Sequence, residues 1–373
     1  ASLSDLESAA NLINAAKKPY MLVGQGVQLS RAENELIQFA EKTGIPMAAT
    51  LMGLSGISTS HPLYVGYLGM HGNYGPNIKT NECDLLIAIG MRFDDRVTGD
   101  LDQYAKQAKV IHIEIDPAEI NKNVKATVAI NCDAKQALLG LFPLVNVSTH
   151  KDWINEFHKC DEIEFKKVID ADLHPDSGEI KMAEVIKRIS DETDGNAIVV
   201  TDVGQHQMVT SRYYKFQKTL SCITSGGLGT MGFALPAAMG AKVGQPSRIV
   251  IAVIGDGGFQ MTIQELGTIK QSNLAVKILI LNNNFLGMVR QWQQLFFEKR
   301  YSFTELDNPD FQMITTGYGI KSQKVDKREH LDQAIGDWLN SDGPALLEVV
   351  VENEENVFPM VPSGASVSDI RLD

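Results

Sequence analysis

The feature that most constrains the fold is a segment at residues 251–285, in which two apolar runs enclose a helix-sized stretch. Its sequence is IAVIGDGGFQMTIQELGTIKQSNLAVKILILNNNF, so the first run ends in Gly255-Asp256-Gly257-Gly258 and the second in Asn282-Asn283-Asn284. A strand, a helix and a strand in this order predict two parallel strands joined by a right-handed crossover. The carboxyl ends of both strands then lie at one edge of the sheet, where α/β proteins bind ligands. We therefore expect Asp256 and Asn283 to lie close together.

The same alternation of apolar strands and amphipathic helices runs along the whole chain. Strands are predicted at PYMLVGQGV, IPMAATL, CDLLIAIGMRF and KVIHIEIDP, and again at NAIVVTDVG, SRIVIAVIGDGG, VKILILNNN and PALLEVVVE. Runs that are nearly all apolar are typical of parallel strands covered on both faces. A chain of 373 residues is long enough for two domains. We predict two tandem parallel-sheet α/β domains, at 1–150 and 179–373, joined by a helical linker at 151–178.

Composition and charge exclude several classes of function. The net charge of −12 argues against a nucleic-acid partner, because phosphate backbones are bound by clustered Lys and Arg. No apolar run approaches the roughly 18 residues that span a bilayer, and the first residues lack the basic start and apolar core of a signal peptide. The four cysteines form no C-x-x-C pair, so we predict reduced thiols in a cytosol-like compartment and no zinc site.

The residue types at the two strand ends indicate a divalent metal bound to a phosphate. A carboxylate and an amide oxygen are hard ligands that suit Mg²⁺ or Ca²⁺, and they leave positions for carbonyl, water and phosphate oxygens. The glycines beside Asp256 let a phosphate approach the main chain, and the following helix presents free N–H groups to an anion. Either half alone is also compatible with an ordinary turn or loop. The pairing of both halves on consecutive strands favours a diphosphate bridged to the protein by a metal.

This pair of motifs resembles the thiamin-diphosphate (ThDP) motif of ThDP-dependent enzymes. The resemblance implies that Asp256, Asn283 and the backbone carbonyl of Phe285 bind Mg²⁺. Further stretches resemble one branch of that family, the catalytic large subunits of acetohydroxyacid synthases (acetolactate synthases). These stretches are LGMHGNYGPN at 68–77, RFDDRVTGD at 92–100, TDVGQHQM at 201–208, TSGGLGTMGFALPAAMGAK at 224–242, ILILNNNFLGMVRQWQQLFF at 278–297 and FPMVPSGAS at 358–366.

The resemblance implies a ThDP site built from the second domain. Gln205 and His206 would help to hold the diphosphate, and Leu228 to Met231 would contact the aminopyrimidine. Met231, which spacing alone would make a core methionine, would hold ThDP in a bent shape. The implied ThDP contacts are Val203, Gly204, Gln205, His206, Gly229, Met231, Gly255, Asp256, Gly257, Gly258, Asn283, Phe285, Gly287 and Met288.

The implied substrate contacts are Met288, Val289 and Trp292. Trp292 follows Met288 by four residues, so helical spacing puts both on one face. The resemblance places Trp292 in the pocket that selects the second 2-ketoacid, whereas the alternative is an amphipathic helix packed on its own domain. Arg290, between them, is open between a role in the site and a solvated charge.

The first domain resembles the FAD-binding central domain of the same enzymes. LVGQG at 22–26 predicts a strand followed by Gly-x-Gly, but no third glycine completes the dinucleotide fingerprint. Arg92 and Arg96 can pair with a diphosphate, or with Asp94 and Asp95 in a solvated charge cluster. The implied FAD contacts are Gly24, Gln25, Gly26, Thr50, Leu51, Met52, Leu68, Met70, His71, Gly90, Arg92, Asp94, Arg96, Val97, Glu114, Ile115 and Asp133. Cys132 departs from the glycine that is usual before that last Asp in the family.

The resemblance also concerns residues outside this sequence. In the family, the Glu that activates ThDP lies on an amino-terminal pyrimidine-binding domain, and the site forms between two subunits. The chain begins at the FAD-type domain and without Met. We therefore expect a fragment of a longer enzyme that contains no catalytic residue of its own and is inactive alone. Glu265 lies on the predicted helix after Asp256 and is not assigned the activating role.

The activity implied for the parent enzyme belongs to branched-chain amino-acid biosynthesis. Pyruvate would be joined to a second pyruvate or to 2-ketobutyrate, giving 2-acetolactate or 2-aceto-2-hydroxybutyrate. The resemblance also implies a homodimer or tetramer and a regulatory small subunit. It implies a cytoplasmic location in a bacterium, or a plastid or mitochondrial location in a eukaryote. The alternatives are a pyruvate oxidase or glyoxylate carboligase, a non-catalytic cofactor-binding fragment, and an NAD dehydrogenase. The incomplete glycine fingerprint and the metal pair argue against the last of these.

Overall fold

The structure is a computed structural model that describes all residues from 1 to 373. Its strands, numbered in chain order, are β1 (Pro19–Val23), β2 (Met47–Ala49), β3 (Tyr64–Tyr67), β4 (Leu85–Ile89), β5 (Lys109–Glu114), β6 (Val128–Asn131), β7 (Ile198–Thr201), β8 (Cys222–Thr224), β9 (Val250–Gly255), β10 (Val276–Asn282), β11 (Lys321–Val325) and β12 (Ala345–Val350). They form two six-stranded sheets in which every pairing is parallel. The predicted α/β fold class is confirmed.

Helices connect most of the consecutive strands. They are α1 (Leu3–Ala15), α2 (Gln25–Leu29), α3 (Glu33–Thr43), α4 (Tyr74–Thr80), α5 (Asp95–Thr98), α6 (Ala134–Leu141), α7 (Lys151–Glu164), α8 (Asp170–Leu173), α9 (Met182–Glu192), α10 (Gln205–Tyr213), α11 (Ala234–Gly244), α12 (Asp256–Met261), α13 (Glu265–Gln271), α14 (Gly287–Phe296), α15 (Phe311–Gly317) and α16 (Leu331–Asn340). Phe165–Ile169 continues α7 as a π-helical turn, and short 3₁₀ turns lie at Leu51–Gly53, Arg328–His330 and Val367–Asp369. None of the helices combines the length and apolar character that crossing a bilayer requires.

The first sheet has the order β3-β2-β1-β4-β5-β6. Its central strands β1 and β4 are buried along their whole length. Alternate side chains of these strands enter different hydrophobic clusters: Leu22 and Leu86 lie in one, and Val23 and Ile87 in the other. Because strand side chains point alternately to the two faces of a sheet, this sheet is covered on both faces.

The second sheet has the order β11-β12-β10-β9-β7-β8. Strands β9 and β10 are parallel neighbours, with Ile254 opposite Ile280 and Gly255 opposite Leu281. Both strands are buried throughout. The expectation that the two apolar runs of residues 251–285 end at one edge of one sheet is thus confirmed.

The chain forms two compact units whose limits differ from the predicted boundaries. The first unit consists of 1–169, 216–220 and 358–373, and the second of 170–215 and 221–357. The charge pattern of the sequence predicts that α7 is a linker, but its buried Trp153 and Phe157 join the hydrophobic core of the first unit. The Trp153 Nε1–H also donates to the carbonyl of Pro19 at 2.9 Å. The apolar face of α7 therefore places it in the first unit, although its sequence is highly charged.

Candidate cofactor site at the edge of the second sheet

The order of the second sheet creates a switch point beside β7. The chain passes from β7 to β8 on one side and later returns to β9 on the other. In open α/β sheets, ligands bind in the crevice outside the carboxyl ends of the strands at such a point. Residues 202–206 follow β7 and residues 256–258 follow β9, so the polar residues after both strands lie at the switch point.

A cavity lies at this edge of the sheet. Its lining consists of Met182, Val203, Gly204, Gln205, His206, Met231, Gly255, Asp256, Gly257, Gly258, Leu281, Asn283, Phe285, Leu286, Gly287, Met288 and Val289. The structure thus brings together almost all of the proposed ThDP contacts. Gly229 and Trp292 are not among the lining residues, and neither is Glu265. Met182, Leu281 and Leu286 line the cavity without having been predicted.

Asp256 is the buried carboxylate of this cavity. It is 1% exposed and begins α12 directly after β9. Burial raises the pKa of its carboxyl to about 6, against the effect of a hydrogen bond from Asn308. The Asn308 Nδ2–H donates to Asp256 Oδ2 at 2.7 Å. A carboxylate that burial makes costly to ionise gains from a nearby cation, so its surroundings fit a metal ligand.

Asn283 is held by a chain of buried amides. Its Nδ2–H donates to Gln205 Oε1 at 3.2 Å, and Gln205 Nε2–H donates to Gln291 Oε1 at 2.9 Å and to the carbonyl of Glu355 at 2.7 Å. The Asn283 Oδ1 accepts from the backbone N–H of Phe285 at 3.3 Å. Gln205 therefore positions Asn283, in addition to lying beside the predicted diphosphate position.

The His206 ring packs against the main chain of two glycines, Gly204 and Gly255. A Cβ at Gly255 would come within 2.9 Å of His206 Cε1, and one at Gly204, whose φ is +150°, within 2.8 Å. The ring is 6% exposed, and its Nε2 has no hydrogen-bond partner. Burial lowers the pKa of His206 to about 3, so the ring is neutral at neutral pH. An unpartnered buried nitrogen in a cavity fits a site that a polar ligand completes.

Sequence reasoning missed Asp202, which follows β7 as Asp256 follows β9. Its carboxylate accepts from the backbone N–H of Gly232 at 2.9 and 3.0 Å and from that of Val203 at 2.9 Å. Burial raises the pKa of Asp202. The contacts fix the end of the exposed loop at 225–231, which carries Leu228 and Met231. The rule that polar residues gather at strand ends would have found Asp202.

In helix α14, Arg290 is not the solvated charge that the sequence allowed. This side chain is fully buried and donates to the carbonyl of Glu355, to Gln294 Oε1 and, at 2.9 Å, to Asn356 Oδ1. The interpretation as a solvated charge is therefore wrong. Trp292 is partly exposed, with its ring centroid 5.1 Å from that of Phe296. Met288 and Val289, one turn earlier, line the cavity.

The donor set of the cavity fits a hard cation and a diphosphate. The chain has no cluster of three or more His, Cys, Asp and Glu residues that could hold a metal. One carboxylate, one amide oxygen and a backbone carbonyl instead form the kind of oxygen set that Mg²⁺ takes together with phosphate oxygens. The segment 255–258, where β9 ends and α12 begins, supplies main chain that a phosphate can approach closely.

The first sheet has an equivalent edge, built from main chain. Its order places a switch point between β1 and β4, and this is the strand order of dinucleotide-binding sheets. The Gly26 N–H donates to the carbonyl of Gly90 at 2.9 Å, and a Cβ at Gly24 would lie 2.2 Å from the Gly90 oxygen. The proposed FAD contacts lie at or directly after the carboxyl ends of the six strands of this sheet.

The charged residues of the first edge lie in solvent. Arg92 Nε lies 3.4 Å from Asp94 Oδ2, and Arg96 Nη1 lies 3.6 Å from Asp95 Oδ2. The side chains of Arg92 and Arg96 are 52% and 63% exposed, so in this structure they form the solvated charge cluster that the sequence also allowed. Met70, Arg96 and Val97 line a second cavity together with residues of the segment 361–367.

Comparison with known proteins assigns both units. Residues 6–141 match the family described as thiamine pyrophosphate enzyme, central domain, and residues 202–349 match thiamine pyrophosphate enzyme, C-terminal TPP binding domain. The chain is 44% identical over 368 residues to the acetolactate synthase isozyme 2 large subunit of Escherichia coli (strain K12), which covers 98% of this chain and 66% of that protein.

Two further relatives agree with this assignment. Acetolactate synthase large subunit of Lactococcus lactis subsp. lactis (strain IL1403) is 42% identical over 96% of this chain and 62% of its own length. Acetolactate synthase 1, chloroplastic, of Nicotiana tabacum is 42% identical over 98% of this chain and 56% of its own length. The chain thus spans less than two thirds of the length of these curated relatives, and the resemblance drawn from the sequence is confirmed. With matches to a central domain over residues 6–141 and to a TPP-binding domain over residues 202–349, the chain belongs to the thiamine pyrophosphate enzymes.

Proposed function

We propose that the protein takes part in ThDP- and Mg²⁺-dependent carboligation, in which pyruvate loses CO₂ and is joined to a second 2-ketoacid. The products would be 2-acetolactate from two pyruvates, and 2-aceto-2-hydroxybutyrate when 2-ketobutyrate is the acceptor. The observation that carries the proposal is the common cavity that Asp256 and Asn283 line together with Gly255, Gly257 and Gly258. The similarity to acetolactate synthase large subunits over nearly the whole chain supports the choice of reaction.

The residues at the second edge would divide the binding of the cofactor. Asp256, Asn283 and the carbonyl of Phe285 would hold Mg²⁺, and Gln205, His206, Gly257 and Gly258 would hold the diphosphate. When bound, ThDP supplies a thiazolium ring that stabilises the negative charge left by decarboxylation. The protein would contribute position, because the residues that line the cavity would orient the cofactor.

The substrate contacts belong to α14 and to the loop at 225–231. Met288 and Val289 would line the space above the thiazolium, and Trp292 would select the acceptor by its indole surface. Met231, which lines the cavity, would support the bent cofactor, and Leu228, which is 94% exposed, would contact the aminopyrimidine end.

The first unit would bind FAD at the switch point between β1 and β4. Gly24 and Gly26 would let the pyrophosphate approach the main chain, and Arg92 and Arg96 would turn from their carboxylate partners to the phosphates. FAD would serve a structural purpose, with no net redox step. The proposal also includes a homo-oligomer and a regulatory small subunit. The location would be cytoplasmic in a bacterium, and plastid or mitochondrial in a eukaryote.

The test is calorimetric titration of ThDP into this chain, with and without Mg²⁺. We expect binding that needs the metal, and Asp256→Ala should weaken it by more than about 100-fold, since even outer-shell partners of a metal site account for 10- to 100-fold. Asp337→Ala, on the exposed face of α16, is the matched control. Absence of metal-dependent binding by the wild-type chain would overturn the cofactor site.

The reaction is tested separately, on the protein as its gene encodes it in full. Pyruvate alone should give 2-acetolactate, and a mixture with 2-ketobutyrate should also give 2-aceto-2-hydroxybutyrate. Other products from pyruvate would overturn the reaction while leaving the cofactor site intact.

A further inference from the structure

An amide from outside the sheet lies against the proposed metal ligand. Asn308 belongs to the irregular segment before α15, and its Nδ2 lies 2.7 Å from Asp256 Oδ2, 3.0 Å from Asn284 Oδ1 and 3.2 Å from Asn282 Oδ1. Three oxygens from the ends of β9 and β10 thus converge on one amino group. An amide nitrogen carries two hydrogens and is a donor only, so it is the right atom for this place.

The orientation of this amide is fixed from its other end. Gln260, on α12, donates its Nε2–H to Asn308 Oδ1 at 2.8 Å. If the amide turned over, its oxygen would face three other oxygens and the Gln260 donor would lose its acceptor. The hydrogen-bond pattern therefore leaves a single orientation, in which Asn308 donates to Asp256.

The acceptor side of the contact is also anchored. Asn282 donates its Nδ2–H at 2.8 Å to Oε1 of Glu348, a β12 residue that is 1% exposed. Gln312 donates to the other Glu348 oxygen at 2.8 Å, and Lys324 pairs with the carboxylate at 3.0 Å. A continuous set of contacts therefore runs from β12 through Asn282 and Asn308 to Asp256.

We propose that Asn308 is a positioning residue for the metal site: it fixes Oδ2 of Asp256, and so sets the direction of the carboxylate before a cation binds. The inference rests on the proposed function, since it assigns a partner to the metal ligand of that site. Outer-shell groups that hold a ligating carboxylate are worth 10- to 100-fold in metal affinity. The three consecutive Asn residues at the end of β10 have different contacts. Asn282 and Asn284 accept from Asn308, whereas Asn283 lines the cavity.

The experiment is a titration of Mg²⁺ into the chain at saturating ThDP. Asn308→Ala removes the donor, and we expect its Mg²⁺ affinity to fall by about 10- to 100-fold. Asn308→Asp keeps the shape but replaces the donor by an acceptor, and should lose at least as much. Gln260→Ala removes only the contact that fixes the amide and should lose less than Asn308→Ala. Asn340→Ala, at the end of α16 beside Ser341, which contacts Lys277 near the start of β10, is the matched control and should stay within about twofold of wild type.

Thermal unfolding without cofactors separates positioning from a merely structural role. A structural role would lower the unfolding temperature of Asn308→Ala and leave the Mg²⁺ affinity of the folded protein within twofold of wild type, which would overturn the inference. Wild-type affinity in Asn308→Asp would overturn it as well. If the wild-type chain binds no ThDP with Mg²⁺, the proposed function fails and the inference with it. If wild type binds and Asn308→Ala binds equally well, the inference alone fails.

Discussion

The edges of the two sheets both lie at a switch point in the strand order, although the two orders differ, and they differ in what they offer a ligand. At the first edge, bare main chain comes together where Gly24 and Gly26 meet Gly90, and the arginines that follow lie in solvent. At the second edge, buried polar side chains surround the cavity, among them Asp256 and His206. A doubly wound sheet can therefore build a site from backbone alone or from buried side chains. The second kind costs desolvation, and in return it can select a ligand by charge.

The largest expected effect comes from adding a Cβ to a close approach at each edge. Gly24→Ala would place a methyl group 2.2 Å from the Gly90 oxygen and 2.4 Å from Met91 Cβ, both held in β-strand connections. We expect Gly24→Ala to lower the free energy of unfolding by about 3 kcal/mol or more, at the upper end of overpacking effects. Gly258→Ala would place it 2.3 Å from Asp202 Oδ2, and a side chain can turn away. We expect about 1–2 kcal/mol there, with release of the loop at 225–231 from Asp202.

Amide hydrogen exchange distinguishes the two variants, because it reports on each unit separately. Gly24→Ala should lower the protection of amides in β1 and β4 from exchange. Gly258→Ala should lower the protection of the Gly232 amide. Gly336→Ala in α16, where a Cβ meets no atom within 4 Å, is the control and should stabilise by up to about 1 kcal/mol. Equal losses in both variants would show that the two edges do not differ in rigidity.

A smaller effect concerns the cost of burying charge near the second edge. Burial and the nearby Asp172 raise the pKa of Glu355 from 4.5 to about 7. The folded protein then keeps a proton that the unfolded chain loses above pH 4.5, so this group lowers stability as pH rises towards 7. Glu355→Gln should therefore stabilise the protein by about 3 kcal/mol at pH 8 and by little at pH 4.5, at 1.36 kcal/mol for each pKa unit.

Urea unfolding across this pH range measures the difference between Glu355→Gln and wild type. Glu354→Gln, at the exposed neighbouring position, controls for the loss of one negative charge and should follow wild type in parallel. A gain from Glu355→Gln that did not grow between pH 4.5 and 7 would contradict the assignment of the buried carboxyl.

The smallest expected effect on stability is at the first edge. Arg96 is 63% exposed, so Arg96→Ala should change the free energy of unfolding by no more than about 0.5 kcal/mol. Its affinity for FAD should nevertheless fall by roughly tenfold, the value of a hydrogen bond to a charged group. Quenching of flavin fluorescence measures the affinity, and Lys106→Ala, exposed in the same unit, controls for charge. A large loss of stability with unchanged affinity would reverse the comparison between the edges.

The central strands could be predicted from sequence, whereas the outer strands could not. Strands β9 and β10 are buried on both faces, so their sequences are continuous apolar runs that end visibly at polar residues. Strand β11, KSQKV, is largely exposed and pairs only with β12, and β8 has three residues. The pairing that makes them strands comes from their neighbours, so their own residues carry little signal.

The same distinction applies to the candidate site. Asp256 and Asn283 could be predicted because they directly follow central strands. Asn308 lies in a segment without regular structure, and its contact with Asp256 depends on the path of the chain between α14 and α15. The burial of Arg290 could not be predicted, because a charged residue between helical positions gives no sign of the buried carbonyl that it meets. The residues at strand ends could thus be predicted from the sequence, whereas the contacts made by loops could not.

The assignment of residues 358–373 to the first unit has a consequence for synthesis. All strands of that unit lie between residues 19 and 131, yet Val361 N–H donates to the Met70 carbonyl at 2.7 Å and Asp100 N–H to the Ala365 carbonyl at 2.9 Å. A ribosome makes these partners far apart in time, with the second unit between them. The first unit therefore receives these hydrogen bonds only after the second has been translated. A chain cut after residue 357 would lose contacts of the unit that was made first.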